Sequence, residues 1–141
     1  MKAYRHKVQY YETDRMGIVH HANYIRWMEE ARLTFFEAAG ADYVSLEKEG
    51  VISPVTAVSC RYKATTTYGD TVVIRVRIRE FNGIRLKLAY DIDKEDGTAA
   101  AVGESEHCFL RADGTIINLK RAYPQVYEIM HGLIRDSEET I

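Results

Sequence analysis

The densest run of reactive side chains is YYETDRMGIVHHANYIRWMEEAR, from Tyr10 to Arg32. Asp14 falls in an expected loop with Gly17, and two histidines, His20 and His21, stand just ahead of Asn23, a residue type favoured at helix N-caps. A helix beginning there leaves four backbone N–H groups unpaired and sets the positive end of its macrodipole beside the loop. Loop and helix start together offer a carboxylate and a set of donors able to hold an oxyanion. That pairing suits acyl transfer from an easy leaving group. A thiol with a pKa of about 8.5 departs as thiolate far more readily than an alcohol does as alkoxide, so strong general-acid help is unnecessary. One carboxylate to activate water or to attack directly, with donors polarising the carbonyl, can suffice.

Each of these residues also has a plainer reading. Asp14 alone could be a loop or cap residue, and a histidine beside a helix N-terminus could simply orient the loop. His20 and His21 are adjacent, cannot share one helical face, and have no Glu or Cys at metal-ligand spacing, so no metal is expected. Glu29 and Arg32 are three apart, which fits an ion pair as well as a substrate contact. Tyr24, Trp27, Met28, Ala31 and Phe35 form an apolar stripe that reads as core. Cys60 and Cys108 lack a Cys-His-Asn context and read as packing residues, and His6, His107 and His131 carry no motif.

The elements that must position this cluster follow from periodicity. Tyr4–Glu12, rich in aromatic and β-branched types, reads as a strand. From Ala22 to Ala39 there is neither Gly nor Pro, and apolar residues recur at helical spacing around much of the circumference, which predicts a helix buried in a core. Gly40 stops it. A short helix is expected over Tyr43–Lys48 and a strand over Val55–Ala64. Ile74, Val76 and Ile78 then alternate with Arg75, Arg77 and Arg79, and Ile84, Leu86, Leu88, Tyr90 and Ile92 alternate with polar residues. These are half-buried strands, joined by an Asn82–Gly83 hairpin. Asp96–Gly97 turns into a strand over Thr98–Leu110, and Asp113–Gly114 into a short strand over Thr115–Asn118. Val126, Ile129, Met130, Leu133 and Ile134 make a final helical stripe with Pro124 in its first turn. The order predicts an α+β fold, a curved antiparallel sheet wrapped around one long helix, with no Gly-rich phosphate turn.

Length and charge bound the remainder. A chain of 141 residues is one domain, 1–141, with an acidic tail at about 136–141 expected to fray. Nineteen basic against 21 acidic residues argue against a nucleic-acid binder. No apolar run is long enough to insert in a membrane. The opening MKAYRHKVQYYETD has no apolar h-region, and two cysteines without a leader read as reduced, so a cytoplasmic location is expected.

The segment TDRMGIVHHANYIRWMEEAR resembles the signature of hotdog-fold acyl-CoA thioesterases of the 4-hydroxybenzoyl-CoA thioesterase and YbgC-like type, with a weaker likeness over SCRYKATTTYGD, Ser59–Asp70. The resemblance implies that Asp14 is the catalytic aspartate, as general base or nucleophile, and that the backbone N–H of His21 polarises the thioester carbonyl. Gly17 would let the backbone approach the thioester, and Tyr24 and Glu29 match recurrent motif positions. His20 and Arg15 depart from the residues many relatives carry there, which bears on acyl preference. Arg61 and Lys63, or some of Arg75, Arg77 and Arg79, could hold the phosphates of coenzyme A; otherwise the strand arginines form a solvated face. The resemblance further implies an acyl-CoA substrate, no separate cofactor, and a homodimer or homotetramer with the site between subunits. Two other activities fit a hotdog chain: a hydratase/dehydratase, against which the TDxxG signature argues, and a non-catalytic acyl-CoA-binding module.

Overall fold

The computed structural model describes residues 3–41 and 43–139, leaving aside the side chains of residues 43, 44 and 135–139. In chain order these residues form β1 (Tyr4–Lys7), a 3-10 turn (Tyr10–Glu12), α1 (Ala22–Ala38), α2 (Tyr43–Lys48), β2 (Val51–Ile52) and β3 (Val55–Tyr62). They continue with β4 (Thr71–Phe81), β5 (Arg85–Lys94), β6 (Ala99–Cys108), β7 (Leu110–Arg111), α3 (Leu119–Ala122) and α4 (Pro124–Glu139). Five strands make one antiparallel sheet in the order β1-β4-β5-β6-β3, while β2 and β7 pair separately.

The period-two pattern sets the two faces of the sheet. Ile74, Val76 and Ile78 of β4 and Leu86, Leu88, Tyr90 and Ile92 of β5 are buried on the inner face, where α1 lies with Tyr24, Trp27, Met28, Ala31, Phe35 and Phe36 in the same core. Burying each large side chain is worth about 1.5–3 kcal/mol, which outweighs the modest intrinsic preference of any one segment. The helix lies close on β6: a Cβ on Gly103 would meet the Met28 sulfur at 2.7 Å and the Ser59 carbonyl oxygen at 3.3 Å. On the outer face the strand arginines find cross-strand partners. Arg75 meets Asp93 at 3.4 Å, Arg77 meets Asp91 at 2.5 Å and Arg79 meets Glu104 at 3.8 Å. The α+β architecture, with one long helix across an antiparallel sheet, is as the sequence predicts.

Several boundaries differ. The first strand ends at Lys7, not Glu12, because the buried Glu12 carboxylate turns back to accept the Gln9 N–H and closes a 3-10 turn. Asn23 is not the cap of α1. The N-cap is His21, without a side-chain bond of its own, and Ala22 N–H instead donates to Nδ1 of His20 at 3.1 Å. Asn23 lies within the helix and gives its amide to the Glu12 carbonyl. Strand β3 stops at Tyr62 and β6 at Cys108. Thr115–Asn118 makes only an isolated bridge, Leu110 with Ile116, because α3 begins at Leu119 and Asn118 caps it. Of the expected tail, residues up to Glu139 belong to α4, and 140–141 lie outside the described residues.

Helix α1 is not covered all round. Its stripe of Ile25, Glu29 and Leu33, at successive helical turns, is only partly covered by the described residues, and Leu33 is 42% exposed. The neighbouring edge strand β3 is exposed along nearly its whole length. Beneath α1 runs a buried polar chain: Arg32 donates to the Tyr90 hydroxyl at 3.2 Å, which bonds Ser105 at 2.6 Å, which in turn bonds His107 Nε2 at 2.7 Å. Arg32 is thus drawn into the core and makes no ion pair with Glu29 among the described residues.

Candidate active site

The loop between the 3-10 turn and α1 is closed on itself. His20 N–H donates to the Glu12 carbonyl and Asp14 N–H to the Ile18 carbonyl, each at 2.8 Å, so Thr13 and Val19 bridge and Asp14 to Gly17 form the tip. Gly17 N–H returns to the Asp14 carbonyl at 3.0 Å, and Gly17 has φ +79° with open space where a Cβ would stand. The glycine is needed here for its left-handed turn and not for want of room.

The tip sets Asp14 in a defined pose. One carboxylate oxygen, Oδ1, accepts the Met16 N–H at 2.8 Å, and Oδ2 has no hydrogen-bond partner among the described residues. At the other end of the loop the His21 N–H has none either, because His21 opens α1. The 17-residue helix brings the positive end of its dipole to this place. The His21 ring is exposed, stacked on His20 at 4.3 Å and edge-on to Tyr62 at 6.2 Å. Asp14 and His21 both line a cleft of about 310 Å³, together with Met16, Ile18, Tyr24, Tyr62 and Lys63. Larger hollows of about 590 and 440 Å³ lie on the outer face of the sheet, lined by residues of β3, β4, β5 and β6 that include Arg61, Arg77, Arg79 and Glu104. Chemistry and not size distinguishes the smaller cleft, the one that joins a carboxylate to the helix start.

The other residues singled out from sequence divide. Tyr24 is 3% exposed and bonds its hydroxyl to Thr66 Oγ1 at 2.7 Å, so it forms a wall whose phenol burial pushes up in pKa. Lys63 lies in the cleft. Arg61, two residues earlier and of opposite strand parity to Tyr62, faces the outer hollow with Arg77 and Asp91. Glu29 is exposed on α1 and is not one of the residues lining the cleft.

Three contributors carried no signal in the first motif. Tyr62 donates its hydroxyl to the His21 carbonyl at 3.0 Å; burial, then the neighbouring Cys60 and Tyr24, pushes its pKa up to about 12, which keeps it a donor. The loop before β4 braces the site loop, since Val19 N–H donates to the Thr66 carbonyl and Thr67 Oγ1 to the Gly17 carbonyl, both at 2.8 Å. Tyr62, Thr66 and Thr67 all fall within Ser59–Asp70, so the weaker second segment was the available clue. Glu12, the third contributor, ties the base of the loop to α1. No cluster of three or more His, Cys, Asp or Glu among the described residues could hold a metal ion, and none of the described helices is long and apolar enough to cross a membrane.

A five-stranded antiparallel sheet laid on one long helix, with a carboxylate-bearing loop at the helix N-terminus, defines the hotdog class of thioesterases. The chain belongs to the Thioesterase-like superfamily, whose profile matches residues 8–130. It is 37% identical over 119 residues, 84% of this chain and 86% of the other, to YneP of Bacillus subtilis, to which acyl-CoA thioesterase activity is provisionally assigned. A DHNA-CoA thioesterase from Staphylococcus aureus shares the fold with a TM-score of 0.92 at 30% identity, over 99% of this chain and 95% of that one. The gentisyl-coenzyme A thioesterase BH1999 does so with a TM-score of 0.79 at 27% identity, over 87% and 99%. The protein is an enzyme of the thioesterase class.

Proposed function

We propose that the protein hydrolyses acyl-CoA thioesters in the cleft at the start of α1, giving a carboxylate and free coenzyme A. The observation that carries this reading is the meeting, in one cleft, of an Asp14 oxygen and a helix-start N–H that both lack a partner among the described residues. The thioester carbonyl oxygen accepts the His21 N–H, where the helix dipole favours the charge that develops on it. Asp14 Oδ2 then either takes a proton from the attacking water or attacks the carbonyl carbon itself. In the first case the tetrahedral intermediate expels the thiolate. In the second, an Asp14 acyl anhydride forms and water cleaves it. Either way the C–S bond breaks, the thiolate takes up a proton and water supplies the carboxylate oxygen. Met16 N–H holds the other oxygen of Asp14 through the reaction.

The walls supplied by Tyr24 and Tyr62 favour an aromatic acyl group, which stacks well on phenol rings. That agrees with relatives that act on DHNA-CoA and gentisyl-CoA. Lys63 is the cleft's candidate for a coenzyme A phosphate, whereas Arg61 lines the hollow on the outer face of the sheet. The unpaired outer edge of β3, beside the open flank of α1, supports assembly with a second copy, so that the protein works as a homodimer or a higher oligomer. Free Cys60 and Cys108 accord with a cytoplasmic location.

The test is thiol release from acetyl-, hexanoyl-, palmitoyl-, benzoyl-, 4-hydroxybenzoyl-, gentisyl- and DHNA-CoA, with Asp14→Asn as control. Release that the variant abolishes, greatest for the aromatic members, is the expected result. No release from any of them, with the protein folded, would overturn the reading and leave a binding module.

A further inference from the structure

Asp14 and the His21 N–H stand on opposite arms of one closed loop, and both arms are fastened at Glu12. The backbone carbonyl of Glu12 accepts His20 N–H at 2.8 Å and the Asn23 side-chain amide at 2.8 Å. It therefore ties the outgoing arm to the first turn of α1. The incoming arm leaves Glu12 through Thr13 to Asp14. The Glu12 side chain is 6% exposed and is itself held at three points: Oε1 accepts Gln9 N–H at 2.8 Å and bonds His6 Nε2 at 2.8 Å, and Oε2 accepts Trp27 Nε1–H at 2.6 Å. Trp27 is fully buried, and its ring packs on His6 with centroids 4.9 Å apart. A carboxylate is buried only when its lone pairs are well satisfied, and this one is satisfied from β1, from the 3-10 turn and from α1.

We infer that Glu12 is a positioning residue for thioester hydrolysis: its buried carboxylate, gripped by His6, Gln9 and Trp27, fixes where the Asp14 carboxylate stands relative to the His21 N–H. The inference rests on the proposed roles of those two groups. Its physical basis is that acyl transfer needs base and oxyanion donor on a common carbonyl, and an error of about 1 Å can cost on the order of a hundredfold in rate. Loop residues have no regular ladder to hold them, and the ties at Glu12 stand in for one.

Glu12→Gln provides the test because an amide of the same shape cannot replace the carboxylate. With its oxygen toward Gln9 and His6, its NH₂ meets the Trp27 N–H; turned over, it meets the Gln9 N–H. The expected result is a kcat lower by roughly ten- to a hundredfold with KM little changed, measured well below the melting temperature. Leu133→Ala in α4, remote from the loop, is the control for destabilisation alone and should keep its kcat. Hydrogen exchange supplies a readout independent of activity. Exchange across residues 13–21 should quicken by about tenfold or more in Glu12→Gln, while residues 85–94 of β5 stay protected. Should Glu12→Gln fail to fold, Asn23→Ala, which removes one tie only, should show the same pattern in weaker form. Unchanged exchange at 13–21 in a folded variant, or an equal kcat loss in Leu133→Ala, would overturn the inference. Absence of thiol release by the unaltered protein would sink the proposed function instead, while the exchange data still judge the role of Glu12.

Discussion

Among the described residues Asp14 has one oxygen that is bound and one that is not, and this asymmetry makes it testable at the level of single atoms. Asp14→Asn keeps an acceptor for Met16 N–H but removes the basic oxygen, so kcat should fall by roughly 10²- to 10⁴-fold with the fold intact. His21→Ala retains the backbone N–H and should cost far less; an equal loss in steady-state assays would assign the function to the imidazole. His107 tests a different property. It is 2% exposed, its Nδ1 has no partner among the described residues, and burial, assisted by the Arg32 charge, lowers its pKa from 6.5 to about 4. Below pH 6.5 the unfolded chain takes up this proton and the folded one does not. The contribution is therefore complete above pH 6.5 and is lost as pH falls toward 4, by an amount on the order of 3 kcal/mol. Melting temperatures between pH 7.5 and 4.5 should follow that slope, and His107→Leu should flatten it.

Among the elements, the contact that decides the packing is α1 on β6. Gly103 has an ordinary strand backbone, so its lack of a side chain serves approach and not turning. Gly103→Ala forces the flexible end of Met28 aside and crowds the Ser59 carbonyl, and should lower stability by about 1–3 kcal/mol in urea unfolding. A smaller loss would mean that Met28 repacks freely. The same packing accounts for several boundaries that periodicity misplaced. Trp27 reaches across α1 to Glu12, so the first strand yields to a turn after Lys7. His20 supplies an acceptor to Ala22 N–H through its ring, so Asn23 is released from capping and ties the helix to Glu12. Each outcome depends on a partner distant in sequence or on a local geometry that residue type alone does not specify.

At the scale of the whole molecule, β3 is an edge strand that retains apolar side chains where a protective charge would be expected in a monomer. Val55, Val58 and Tyr62 are 47, 45 and 45% exposed, and Leu33 of α1 is 42% exposed. The proposed dimer covers this edge. Val58→Glu should shift the protein toward monomer in sedimentation velocity while leaving its circular dichroism unchanged, and should lower activity if the cleft is completed by the second copy. An assembly that survives the substitution would place the interface elsewhere, with the charged outer face of the sheet as the alternative surface.

Local chemistry wrote much of this protein directly into its chain. The alternation Ile74-Arg75-Val76-Arg77 can be satisfied only by a strand with one face inward, and the Gly- and Pro-free run from Ala22 only by a long helix. The pattern from Asp14 through Gly17 to His21 compressed the candidate carboxylate, turn and donor into eight residues, short enough to be read without a fold. What needed the tertiary structure was every relation across the chain. Tyr62 and Arg61 are neighbours in sequence, yet strand parity sends one to the cleft and the other to the outer face. Glu12 looked like one polar residue in a strand until His6, Gln9 and Trp27 converged on it. Thr66 and Thr67 gained their roles as braces from the loop they happen to meet. Periodicity and motif depend on near neighbours and survive in the sequence, whereas register, burial and long-range hydrogen bonds exist only after the sheet has closed on the helix.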